Sequence, residues 1–177
     1  MTDPASATTA TTATDRPLET AYLAGGCFWG MEDLLRRIPG VVDTEVGYTG
    51  GWLENPRYDD THDSKSGHAE AVKIVFDPAV LALEDLLVHH FFRMHDPSTP
   101  DRQGNDRGTQ YRSAIFHTSD AQRAAAQSAV ERVNASGLWP RPIVTQLAPF
   151  TQWWVGEGYH QDYLIKHPGG YSCHYMR

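Results

Sequence analysis

The stretch ETAYLAGGCFWGMEDLLRRI, residues 19–38, changes period halfway along. Its first five residues are a short β-branched and aromatic run, which predicts a strand. From Phe28 onward the apolar residues Phe28, Met31, Leu35 and Ile38 recur at helical spacing, with Glu32, Asp33, Arg36 and Arg37 between them. The junction is Gly25, Gly26 and then Cys27, so the cysteine is expected at a strand-to-helix turn, on the first positions of the helix. No Ser, Thr, Asp or Asn stands where an N-cap is expected, which leaves backbone N–H donors free and lets another molecule approach the chain closely. A thiol there is expected to have a lowered pKa, because a helix N-terminus favours the thiolate. The plainer alternative is a small buried cysteine that fits a tight turn.

Working outward, VVDTEVGYTGG predicts a second strand, a long polar loop GWLENPRYDDTHDSKSG follows, and HAEAVKIVFDP predicts a third strand. LALEDLLVHHFFRM reads as helix and HDPSTPDRQGNDRGTQ as an irregular connector dense in turn formers. YRSAIFH is a fourth strand. A helix over SDAQRAAAQSAVERVNASG is opened by Ser119 and closed by Gly137. PIVTQLAPF is a fifth strand, and a short helix is expected around GYHQDYLIK. The order β-α-β-β-α-β-α-β predicts an α/β sandwich with a mixed sheet. Residues 1–17, rich in Ala and Thr, are expected to form a disordered tail, and residues 18–177 a single domain. The tail resembles neither a secretory signal nor a transit peptide, so the expected compartment is a reducing cytoplasm. There, two cysteines serve as catalytic or redox partners more often than as a permanent staple. No apolar run is long enough to span a membrane, and a net charge of −7 argues against affinity for nucleic acid or anionic lipid.

The third strand holds the most informative anomaly. Alternation puts Glu70 on one face with Val72, Ile74 and Phe76, while Lys73 lies on the other. A carboxyl on an apolar face is expected to have a raised pKa and to act as a proton donor near neutral pH; the alternative is a glutamate at a strand end reaching solvent. On the first helix, Trp29 falls among Glu32 and Arg36 rather than on the apolar stripe, which suggests a substrate surface or packing under the long loop. Tyr58 and Tyr111 lie in or beside the long loops, with Asp106 in QGNDRGTQY. His68-Ala-Glu70 matches the H-x-E of zinc deaminases, but the required P-C-x-x-C pair is missing. No metal site is expected from the scattered histidines. A cysteine hydrolase built on Cys27, His68 and an aspartate stays open, as does a non-catalytic peptide-binding module.

Taken together, GGCFWGME, GYTGG, NPRY, GHAEAVKIVFDP, HDPST, DRQGNDRGTQYRS and YHQDYL resemble the peptide-methionine (S)-sulfoxide reductases, the A-type methionine sulfoxide reductases, from about Ala21 to Tyr171. The resemblance implies a ferredoxin-like two-layer sandwich with long loops and a flexible C-terminal tail. By it, Cys27 is the nucleophile and Phe28 and Trp29 bind the substrate's methyl group. Glu70 protonates the sulfoxide oxygen with help from Tyr58 and Tyr111, and Asp106 orients substrate or hydrogen bonds. Cys173 is the resolving cysteine, with Gly169 and Gly170 giving the tail its freedom. The resemblance also implies a monomer with no bound cofactor, acting on free or protein-bound methionine-(S)-sulfoxide and re-reduced by thioredoxin, or by dithiothreitol in vitro. Two departures stand out: His62 occupies a position where family members often have a cysteine, and the C-terminal cysteine in GGYSCHYMR lies one place later than usual.

Overall fold

The computed structural model describes residues 17–177; the tail expected over residues 1–17 lies, but for its last residue, outside the described residues. Strand β1 (Glu19–Gly25) occupies the middle of a six-stranded sheet. It runs antiparallel to β3 (Ala69–Phe76) on one side and to β6 (Ser113–His117) on the other. Beyond β3 lies β2 (Val41–Thr49), also antiparallel, which gives the four-strand order β6-β1-β3-β2 of a ferredoxin-like sheet. Helix α1 (Phe28–Leu35) links β1 to β2, as the change of period in residues 19–38 predicts. Helix α5 (Asp120–Ser136) carries the chain from β6 to β7 (Gln146–Pro149), which joins the edge in parallel with β6 and makes the sheet mixed. Ser119 caps α5 by accepting from the Gln122 N–H, and Gly137 closes it at φ +71°, a conformation glycine adopts without strain.

Period-two alternation divides the sheet's faces by side-chain size. Leu23, Val46, Val72, Ile74 and Phe76 pack with Phe28, Met31 and Leu35 of α1 and with Ala126, Ala129 and Val133 of α5 in the main core. Tyr22, Ala24, Ala69, Ala71 and Ala114 line the opposite face, where Tyr22 stacks on Phe150 with ring centroids 3.9 Å apart. Each fully buried large apolar side chain contributes about 1.5–3 kcal/mol, so the α1 face holds the greater share of the stabilising burial.

The structure refines the expected elements. The 51–67 loop contains α2 (Tyr58–His62), whose entry is fixed by the Arg57 N–H donating to the Asp60 carboxylate at 2.9 Å. The helix expected over residues 81–94 is two short helices, α3 (Leu83–Leu86) and α4 (Phe92–Met94), joined by one wide π-type turn, Leu87–Phe91. The irregular connector folds back on itself through β4 (Arg102–Gln103) and β5 (Asp106–Arg107), then a 3₁₀ turn, Thr109–Tyr111. A two-residue strand, β8 (Trp154–Val155), too short to show alternation, pairs with β2. The last helix is a 3₁₀ turn, Gly158–His160, followed by α6 (Tyr163–Lys166). The break is Asp162 at φ +53°, held there because its N–H donates to Glu32 and its carboxylate binds Arg36 at 2.7 Å. No helix among the described residues is long and apolar enough to cross a membrane.

From Gly169 the chain forms neither helix nor strand. It returns across α1, where His174 Nε2 meets the Gly25 carbonyl at 2.7 Å and the Arg177 N–H donates to the Arg93 carbonyl. Gly30, inside α1, makes room for it: a Cβ there would lie 2.5 Å from His174 Nδ1 and 2.6 Å from Ser172 Oγ. Alanine is the better helix former by about 1 kcal/mol. Gly30→Ala is therefore expected to leave α1 intact while releasing the tail, read as faster limited proteolysis after Gly169; unchanged protection would show that the glycine is not what seats the tail.

Candidate active site

The site begins where β1 stops. Gly26 has φ +97°, and a Cβ there would lie 2.6 Å from the Gln103 side chain, so the turn admits only glycine. Gln103 is itself fixed, accepting from the Asp96 N–H and donating to the Asp96 carbonyl. Cys27 follows as the N-cap of α1, one residue before the helix proper, and is 8% exposed. The free donor left by the missing polar cap is taken from elsewhere in the chain: the Phe28 N–H donates to Glu70 Oε2 at 3.1 Å. Glu70 faces the core from β3, opposite Tyr48 of β2, and is 1% exposed.

Burial dominates the electrostatics. It pushes the Glu70 carboxyl up to about 8, against the pull of the Phe28 N–H, with Asp106 and Glu157 adding to the rise. The lowered pKa expected for Cys27 is not found: burial and the nearby Glu70 charge push the thiol up. The Trp29 N–H at the helix start pulls the other way but is outweighed. The reason is physical: a helix terminus offers a partial charge, whereas desolvation and a neighbouring carboxylate act on the full thiolate.

Tyr58 begins α2 and Tyr111 ends the 3₁₀ turn before β6. Burial first and the Glu70 charge second push Tyr58 up to about 12 and raise Tyr111 as well, so both phenols stay protonated and able to donate. Phe28 is buried, its ring centroid 5.0 Å from that of His160. Trp29 is half-buried; it stacks on Tyr163 with centroids 3.7 Å apart, and its indole N–H donates to His160 Nδ1 at 2.9 Å. His160 also lies against Tyr58, with centroids 4.7 Å apart. Asp106 sits between phenol and thiol of the tail, accepting from the Tyr171 hydroxyl at 3.1 Å and lying 3.7 Å from Cys173 Sγ. The two cysteines are free thiols, and the charge of Cys173 reaches the Cys27 thiol.

Two site residues escape sequence reasoning. Glu157 accepts from the Tyr48 hydroxyl, the Tyr58 N–H and the Tyr159 hydroxyl, and so joins β2, α2 and the last 3₁₀ turn. His160 joins Trp29 to the aromatic cluster. Because indole N–H can only donate, His160 Nδ1 is the acceptor and Nε2 carries the hydrogen, 3.7 Å from Glu157. The aromatic density of GYHQDY is the only local signal for either residue.

His68 cannot serve a cysteine hydrolase. Its Nδ1 accepts from the Gly51 N–H at 2.9 Å and its Nε2 donates to the Leu53 carbonyl at 2.7 Å, so both nitrogens are occupied in bracing the loop. Among the described residues no three or more His, Cys, Asp or Glu side chains are placed to hold a metal ion. A cleft of about 450 Å³ lined by Trp52, Thr99, Asp101, Arg112, Val144 and Gln146 includes none of Cys27, Glu70, Tyr58, Tyr111, Asp106 and Cys173.

Residues 19–177 match the family model described as peptide methionine sulfoxide reductase. The chain belongs to this family. It is 55% identical over 157 residues to the peptide methionine sulfoxide reductase MsrA of Nocardia farcinica, covering 89% of each chain. The reduced form of Mxr1 from Saccharomyces cerevisiae superposes with a TM-score of 0.85 at 36% identity, over 90% of this chain and 92% of that one. Mxr1 in complex with Trx2 gives 0.61 at 26% identity, over 96% of both. This peptide methionine sulfoxide reductase is thus an oxidoreductase with the ferredoxin-like sheet and helices described above.

For the reductase, the Glu70 shift has a definite sign. Below 4.5, the ordinary carboxyl value, folded and unfolded chains both hold the proton; between 4.5 and about 8 only the unfolded chain has lost it. Stability therefore falls as pH rises through that window. Glu70→Gln is expected to flatten this dependence in urea unfolding between pH 5 and pH 8; the same slope in both proteins would contradict a protonated Glu70.

Proposed function

We propose that the enzyme reduces the S epimer of methionine sulfoxide with Cys27 as nucleophile and Glu70 as the proton donor to oxygen. The observation that carries this reading is the carboxyl bonded to the first N–H of α1, beside the Cys27 thiol, with a pKa that keeps it protonated at neutral pH. As the Cys27 sulfur attacks the sulfoxide sulfur, Glu70 gives its proton to the oxygen and is left as an acceptor for the thiol's proton. The adduct then collapses: the oxygen passes to the Cys27 sulfur, the methionine S–O bond and the transient S–S bond break, methionine leaves, and Cys27 retains the oxygen as a sulfenic acid. This exchange suits a thiol whose pKa is raised, because proton loss is coupled to proton delivery in one step.

The phenols of Tyr58 and Tyr111 donate to the same oxygen, while Phe28 and Trp29 form the methyl pocket, with His160 holding the indole in place. Asp106 orients the network that includes Tyr171 and the tail. Cys173 then attacks the sulfenic sulfur and expels water, leaving a Cys27–Cys173 disulfide for a thioredoxin-type donor. The yeast relative solved with Trx2 supports such a donor. We further infer a monomer in a reducing cytoplasm, with residues 18–177 as one catalytic unit and no bound cofactor; the net charge of −7 disfavours nucleic acid and anionic membrane as partners.

Single-turnover assays on a peptide with separate R and S sulfoxides test this. Release of methionine is expected from the S peptide alone, and Cys27→Ser is expected to abolish it, since a hydroxyl neither attacks well nor stores the oxygen. Turnover of the R epimer, or substantial residual activity in the serine variant, would refute the assignment. Cys173→Ser is expected to release about one equivalent of methionine and then stall with thioredoxin, while dithiothreitol restores turnover by attacking the sulfenic acid directly. Undiminished thioredoxin-driven turnover would remove Cys173 from the cycle.

A further inference from the structure

Near its end the tail carries a cysteine and a histidine whose side chains meet. His174 Nε2 lies 2.7 Å from the Gly25 carbonyl oxygen, which can only accept, so Nε2 carries the hydrogen. Burial lowers the pKa of the ring and keeps it neutral, so Nδ1 holds a free lone pair. That nitrogen is 3.7 Å from Cys173 Sγ. The ring has little freedom: Gly26 and Gly30 lie directly beneath it, and Ser172 Oγ accepts from the His174 N–H at 3.1 Å. Asp106 Oδ2, also at 3.7 Å, and the Tyr171 hydroxyl are the sulfur's other close polar neighbours, but that hydroxyl is a donor and Asp106 already receives it.

We propose that His174 is the general base that takes the Cys173 proton when this thiol resolves the Cys27 sulfenic acid. This role rests on Cys173 being the resolving thiol, as proposed above. The need is plain, since burial and the Asp106 charge raise the Cys173 pKa and leave little thiolate at neutral pH. In the step, the Sγ–H proton passes to His174 Nδ1, the sulfur's electron pair forms the bond to Cys27 sulfur, and the Cys27 S–O bond breaks. The departing hydroxide takes the proton back from the imidazolium and leaves as water, so the ring returns to its starting tautomer and no outside oxidant or reductant is consumed. The charged and titratable groups around the ring are Asp106 from β5, Arg177 from the end of the tail, His95 after α4, and Cys173 itself. Asp106 favours the imidazolium, while Arg177 opposes it. His95 is held neutral at about 3, chiefly by burial. The Gly25 carbonyl also favours the charged ring, and it keeps the same hydrogen bond throughout.

The test is a rapid-quench single turnover of the full-length enzyme on the S-sulfoxide peptide. It follows methionine release, dimedone-trapped Cys27 sulfenic acid and the Cys27–Cys173 disulfide. His174→Gln leaves an amide N–H for the Gly25 carbonyl but removes the base. Methionine release reports that the Cys27 site is intact. Disulfide formation is expected to slow by about 10²-fold or more at pH 7. The deficit is expected to shrink as pH rises and hydroxide supplies the thiolate. His174→Gly, which opens a ring-sized space, is expected to recover the rate with added imidazole. An unchanged rate at pH 7, the same slowing at every pH, or no rescue by imidazole would overturn the proposal. A wild-type enzyme that holds its sulfenic acid and forms no Cys27–Cys173 disulfide would overturn the resolving role of Cys173 first, and the base with it.

Discussion

A single hydrogen bond, from the Phe28 N–H to Glu70 Oε2 at 3.1 Å, ties the start of α1 to the middle strand that faces it. A helix start without a polar cap and a carboxyl on an apolar strand face are each costly alone. Together they satisfy one another, and their meeting point is the thiol of Cys27. The ferredoxin-like strand order makes the meeting possible, because β1 delivers α1 directly over β3, its neighbour in the sheet. The desolvated carboxyl then holds its proton beside that thiol, as the proposed protonation of the oxygen requires.

Around this contact the molecule is built in two parts. One is an aromatic enclosure on the α1 side, where Trp29, His160, Tyr58 and Tyr163 hold one another by stacking and by one indole hydrogen bond. The other is the tail, anchored by His174 and Arg177, with Cys173 beside Asp106. Glycine has a distinct use in each turn: Gly26 makes a backbone turn no other residue can make, and Gly30 gives the tail a seat on a helix. A stretch that reads locally as a nucleophile motif is therefore also a packing surface for the C-terminus.

The parts of the fold legible in the sequence are those set by local period. Alternation suffices to place Glu70 with Val72, Ile74 and Phe76, and helical spacing suffices to start α1 after Cys27. Ser119 and Gly137 mark α5 correctly because caps are local chemistry. What the sequence hides depends on distant partners. Glu157 and His160 act on residues about a hundred positions away. The occupied nitrogens of His68 are visible only once Gly51 and Leu53 are in place. The direction of the Cys27 shift reverses because the charge of Glu70 and the burial around it come from the third strand, not from the helix start. The wide turn Leu87–Phe91 leaves no mark in the apolar pattern, since one extra residue per turn hardly disturbs it.

The central claim is that Glu70 holds a proton at neutral pH beside the Cys27 thiol. A ¹³C NMR titration of the Glu70 side-chain carboxyl, assigned by comparison with Glu70→Gln, measures this directly. The account predicts a midpoint near 8, with the carboxyl neutral at pH 6. A carboxylate already ionised at pH 6, with a midpoint near the ordinary 4.5, would contradict it.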